Sequence, residues 1–217
     1  MDKKSKSSLM VFAGLVSLAL IVSMIPIVNW PFSWMMTFFH EISHGIAALL
    51  TGGSVLKINL YLNGAGLCTT KGGMGFIISF AGYMGAVIWG GCIYLMAEKL
   101  NKRHTDEMAL VLSGIILLSG VFWARDIMTI VIMIVMICLL LSVIKLQNND
   151  FIKVAIKFIG VYVLLDAVKA PLNLVDGMHK GDGAALADMT GIPEVVWVSI
   201  WLVFGIMGLV YLWRSHR

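Results

Sequence analysis

Phe32-Ser-Trp-Met-Met-Thr-Phe-Phe-His40-Glu41-Ile42-Ser43-His44-Gly-Ile-Ala-Ala-Leu-Leu50 decides both the fold class and the chemistry of this chain. As a helix rising 1.5 Å per residue, this run is long enough to cross about 30 Å of hydrocarbon. It is apolar except at its centre, where two histidines and a glutamate fall within five positions. Ionisable groups at that depth cost a few kcal/mol each unless a site holds them. The run therefore reads as a membrane helix that carries a functional centre.

The rest of the chain agrees with a membrane setting. Of 217 residues, 59% are apolar and 13% charged, with mean hydropathy +0.92, whereas a soluble domain carries roughly 25% charged residues. Charge-free runs cover residues 7–39, 72–97, 108–124, 127–144 and 195–213 apart from the motif itself. A cytosolic enzyme and a nucleic-acid binder are excluded. The net charge of +4 sits largely at Lys3, Lys4 and Lys6, in the connectors and at Arg214 and Arg217, where it suits contact with lipid headgroups. Cys68, Cys92 and Cys138 have neither metal spacing nor a disulfide framework, and two of them lie in apolar runs where they read as small packing residues.

The expected architecture is an all-α polytopic membrane protein with about six to seven transmembrane helices and one domain over residues 1–217. A basic tail, residues 1–8, leads into a retained first span at 9–28, and Asn29-Trp30-Pro31 reads as an interfacial turn before span two at 32–50. Alternating apolar and polar residues in 54–63, then Gly64-Ala-Gly66 and a short β-like piece at 67–70, predict a membrane-surface β-hairpin within 53–73. Spans follow at 74–96, 108–124, 127–146, 151–172 and 195–213, with a polar loop at 173–194. Glycines in the third span, among them Gly82, Gly85 and Gly90, suit close helix approach. Counting Lys and Arg on alternate sides does not fix the orientation. The alternation does place the hairpin and the 173–194 loop on one face.

His40-Glu41-Ile42-Ser43-His44 puts two imidazoles four residues apart on one helical face, where both reach a single Zn²⁺, with Glu41 beside the first. Zinc lowers the pKa of a bound water to about 7, and an adjacent carboxylate takes its proton during attack on a carbonyl and returns it to the leaving amine. Catalytic zinc usually has three protein ligands. Counted along the helices, His40 and His44 lie about 11–17 Å below the hairpin face and Asp166 roughly 9–15 Å, which makes Asp166 the first choice for the third. Asp182 ranks second, and Asp176, before Gly177, is a further rival; either would have to fold back on a re-entrant loop. The plainer readings are an Asp166–Lys169 ion pair and a helix cap at Asp182. His104, His179 and His216 read as solvated.

The chain resembles the site-2 protease family of intramembrane zinc metallopeptidases, most of all its compact bacterial and plant branch. The resemblance rests on His40-Glu-Ile-Ser-His44 in the second span, Asn63-Gly-Ala-Gly66 to Lys71-Gly-Gly73, and Ala81-Gly-Tyr-Met-Gly85. Trp123-Ala-Arg-Asp126 and Gly181-Asp-Gly-Ala-Ala-Leu-Ala-Asp-Met-Thr-Gly-Ile-Pro193 with Trp197 and Trp201 extend it over nearly the whole chain. It implies one Zn²⁺ per chain on His40, His44 and a late aspartate, Glu41 as general base, and as substrate a transmembrane helix of another protein. It also implies a multi-pass protein of the bacterial plasma membrane, in contact with the lipid bilayer and open to a regulatory membrane partner. Better-studied members carry Asn-Pro and then Asp-Gly in the late motif. Here the text is Ala170-Pro171-Leu-Asn173-Leu-Val-Asp176-Gly177, so the third ligand stays open. In this reading an edge strand of the hairpin pairs with an unwound substrate, which points to Asn63, Gly64 and Gly66 as substrate-binding residues. The rival class is a membrane metal-binding protein or metal transporter using the same ligands, in which Glu41 has no role as a base. A hydrolase of a non-peptide amide would use the same residues.

Overall fold

The computed structural model describes residues 3–100, 104–145, 148–175 and 177–215; Asp176 and His216 lie outside them. Eight helices and one hairpin follow in the order α1 (Lys3–Ser23), α2 (Pro26–Leu50), β1 (Ser54–Leu60), β2 (Gly66–Lys71), α3 (Gly75–Lys99), α4 (Thr105–Trp123), α5 (Ile127–Lys145), α6 (Asn149–Lys169), α7 (Asp182–Thr190) and α8 (Glu194–Arg214). A 3-10 turn, Ala170–Leu174, continues α6.

The break between the first two helices differs from expectation. It falls before Pro26, not at Asn29-Trp30-Pro31, because Ile25 takes an extended conformation ahead of the proline and Pro26 opens the helix, where a missing N–H costs nothing. Pro31 is absorbed within α2. The two helices meet at 113°. Ser8 donates to Glu98 Oε1 at 3.2 Å and Phe12 packs on Tyr94 and Trp213, so α1 begins beside the ends of α3 and α8.

By length and hydropathy α3, α4, α5 and α8 can cross a membrane, and the bent pair α1–α2 counts as a fifth crossing. Helix α6 is of similar length but carries Asp150, Lys153, Lys157, Asp166 and Lys169. Neighbouring helices answer several of these charges. Lys157 is buried, pairs with Glu98, and lies 5.8 Å from the centre of the Tyr94 ring. Lys153 Nζ donates to the carbonyls of Glu98 at 2.9 Å and Leu100 at 3.0 Å. Buried Ile152, Ile156, Val161 and Leu164 make α6 the centre of the bundle.

Helices α3 and α6 touch through their main chains. A Cβ on Gly160 would stand 2.7 Å from Tyr94 N and 2.9 Å from Gly90 O, both backbone atoms. Gly160→Ala is accordingly expected to destabilise the bundle by about 1–3 kcal/mol. Gly91→Ala, which would add a methyl with nothing within 4 Å, is its control. Equal thermal unfolding midpoints for the two variants in detergent would contradict the close packing.

The hairpin forms as expected, antiparallel from Leu60↔Gly66 to Ser54↔Lys71, with an irregularity between Val55 and Lys57. Its Tyr61–Ala65 turn is closed by Tyr61 N–H donating to Ala65 O at 2.9 Å, and Gly64 supplies a φ of 84° that side chains rarely adopt. It doubles back along α2. Val55 faces Gly45 near its base, while at its tip Thr37 Oγ1 donates to Gly64 O at 2.5 Å and Trp34 Nε1 to Leu62 O at 3.3 Å.

Candidate metal centre

His40 and His44 lie one turn apart on α2, and both rings face α3. Helix α3 can come this close because residue 82 is glycine: a Cβ there would stand 2.5 Å from His40 Cε1, His44 Cε1 and His44 Nε2. Ser43 on the same stretch faces Gly85. The Tyr83 ring closes against His40, 4.4 Å between centres at 68°, and rests on Trp201 at 4.8 Å. These α3 residues belong to Ala81-Gly-Tyr-Met-Gly85, which sequence reasoning quoted but read only as helix packing.

The third donor comes from the polar loop. After Gly181, at φ 87°, the chain turns into α7, whose first residue is Asp182. Asp182 Oδ2 lies 3.1 Å from His40 Nε2 and 3.3 Å from His44 Nε2, and the two Nε2 atoms are 3.0 Å apart. Asp166, the first choice from the sequence, is not brought to this point. It lines the same cavity but pairs with Lys169, one turn on, at 3.4 Å. Depth along α6 carries no information on where α7 returns. The helix read after Asp182 does exist, yet the aspartate side chain turns to the histidines and makes no capping bond.

The donor set fits a cation. His44 Nδ1 lies 2.6 Å from the Ile78 carbonyl, an acceptor, so Nδ1 carries the proton and a neutral ring presents a lone pair at Nε2. That lone pair faces a carboxylate oxygen and a second imidazole nitrogen. Three converging acceptors repel one another unless a positive charge lies between them. Zinc bound at 2.0–2.1 Å by tetrahedral ligands would hold its donors about 3.3 Å apart, close to the separations here. His40 Nδ1 is buried without a hydrogen-bond partner among the described residues.

Glu41 points to the hairpin side of α2 and is buried. Its carboxylate accepts the Cys68 backbone N–H and lies within electrostatic reach of His40, His44 and Asp182. Gly66 leaves room for it, since a Cβ there would stand 2.5 Å from Glu41 Oε1. Around these groups lies a cavity of about 690 Å³, and Asn63, Gly64 and Gly66 line it together with Asn29 and Asn173. Of the remaining histidines, His104 is half-buried beside Glu107, and His179 is exposed and paired with Asp188 at 3.0 Å, a hydrogen bond that raises its pKa.

The family model for peptidase M50B-like proteins matches residues 12–212. The chain belongs to the peptidase M50B-like family. The match takes in every element described above apart from the first nine residues of α1 and the last two of α8, and it agrees with the resemblance carried by the HExxH pattern in span two. As an M50B-like chain with several apolar helices of spanning length, this is an integral membrane protein of a peptidase family. No curated protein and no solved structure matches the chain.

Proposed function

We propose that this chain is a zinc endopeptidase that cuts a peptide bond within or beside the transmembrane helix of another membrane protein, in a bacterial plasma membrane. The observation that carries the reading is the convergence of His40 Nε2, His44 Nε2 and Asp182 Oδ2, with Glu41 beside them in one cavity. Those three atoms would hold one Zn²⁺. Bound there, zinc would supply Lewis-acid polarisation of the attacking water and the scissile carbonyl.

The chain's own residues do the rest. Glu41 accepts a proton from the attacking water and returns it to the departing amine. The Ile78 carbonyl fixes the tautomer and orientation of His44. A helical substrate hides its carbonyls in i to i−4 bonds, so it must unwind before attack. The outer edge of β2, which already directs the Cys68 N–H at Glu41, offers main-chain partners to the unwound segment. Asn63, Gly64 and Gly66 stand beside that edge.

Metal analysis of the detergent-purified chain tests the ligand set. About one zinc per chain is expected in the wild type and in Asp166→Asn, with affinity reduced at least tenfold in Asp182→Asn. Loss with Asp166→Asn and retention with Asp182→Asn would move the ligand to α6. A metal-replete wild type without zinc would remove the enzyme reading.

A further inference from the structure

The chemistry above makes no use of Trp123-Ala-Arg-Asp126, the junction between α4 and α5, yet β1 is fastened to it. Ile58 forms a parallel bridge with Ala124. Asn59 Nδ2 donates to Asp126 Oδ2 at 2.6 Å, and the Leu60 N–H donates to Thr129 Oγ1 at 2.8 Å. Asp126 also accepts the Thr129 N–H at 2.9 Å and the Thr129 hydroxyl at 2.7 Å. Thr129 thus spends its only hydroxyl proton on Asp126, which turns its oxygen into an acceptor for Leu60. One carboxylate caps α5, grips Asn59 and aims Thr129 at the next residue of the strand.

The contact is buried as well as directional, with Ile58 and Thr129 at 0% exposure. It occupies residues 58–60 of the edge of β1 that β2 does not, while Gly66, Leu67, Cys68 and Thr70 of β2 line the cavity. A slip of one residue along the junction would exchange the two faces of the strand and carry the Cys68 N–H away from Glu41. Dehydration would raise the Asp126 pKa, but the donors from Thr129 and Asn59 hold it below the ordinary aspartate value. The carboxylate therefore stays charged throughout the neutral range.

We propose that Asp126 is a positioning residue that sets the height and register of the hairpin, so that the outer edge of β2 presents an extended substrate segment to Glu41. The proposal rests on the proteolytic reading above and extends it to how the substrate is held. In Asp126→Asn the new amide group would oppose Asn59 Nδ2, donor against donor. Thr129→Val removes the bond to Leu60 with little change in volume, and Thr129→Ser keeps it.

Two readouts on the full-length chain test this. Hydrogen–deuterium exchange across residues 54–71 is expected to quicken in Asp126→Asn and Thr129→Val and to stay near wild type in Thr129→Ser. The probe for cleavage is a donor- and quencher-labelled transmembrane peptide of leucine and alanine with a central Gly-Pro. Its KM should rise about tenfold in the first two variants, with kcat within threefold of wild type and zinc content unchanged. Unchanged exchange in both variants overturns the proposal, as does loss of kcat or zinc at constant KM. A wild type that leaves the probe uncut removes the proteolytic reading, and exchange then decides the clamp by itself.

Discussion

Glu41→Gln is expected to lower kcat by about 10²- to 10⁴-fold, the range for loss of a general base, while zinc content stays at one per chain. The amide is nearly isosteric and still accepts the Cys68 N–H, so the hairpin has no reason to move. It cannot take a proton from water. Glu41 contributes none of the three converging donors, so zinc affinity should be untouched. The informative comparison is therefore kcat against metal content, measured on one preparation with the labelled transmembrane peptide. Full activity in Glu41→Gln would count against hydrolysis and for the rival metal-binding or transport class, in which the residue beside the first histidine has no proton to move.

The second large effect is expected at Gly82. A methyl group at this position would stand 2.5 Å from ring atoms of both histidines, and neither ring can retreat without leaving Asp182. Gly82→Ala should therefore reduce zinc affinity at least tenfold and cleavage with it. Helix propensity works the other way, since alanine favours a helix by about 1 kcal/mol over glycine. The overlap outweighs that gain, as it does at Gly160, so the variant should unfold earlier than wild type as well as lose metal. Zinc binding equal to wild type would show that α3 does not press on the two rings. Gly114→Ala, with nothing within 4 Å of the added methyl, is the control.

Much of this was legible in the sequence. Charge-free runs announce membrane helices because hydrocarbon offers no partner for charge or open backbone. The i, i+4 histidines share a face for the same helical reason wherever they occur. The hairpin could be read from alternation and from Gly64 and Gly66, since both are local features. Less legible was its path back along α2, which depends on the Thr37 hydroxyl meeting Gly64 O and on the α4–α5 junction gripping β1. The break before Pro26 was missed because two prolines five residues apart each offer a helix start, and only packing chooses between them.

The aspartates mark the boundary most clearly. Asp166 and Asp182 are both late, acidic and near glycine or alanine, and distance along a helix axis ranks them wrongly for the meeting with His40 and His44. The sequence by itself determined the membrane setting, the helical class, the pair of histidines and the glutamate between them. These follow from hydrophobicity and from the 3.6-residue period, which act over a few neighbouring residues. Tertiary structure alone decided that Asp182 meets His40 and His44, that Gly82 leaves room for both rings and that Asp126 bonds to Asn59 of the hairpin. Each of those contacts joins residues far apart in the chain, and their approach is set by how helices pack, which no local pattern encodes.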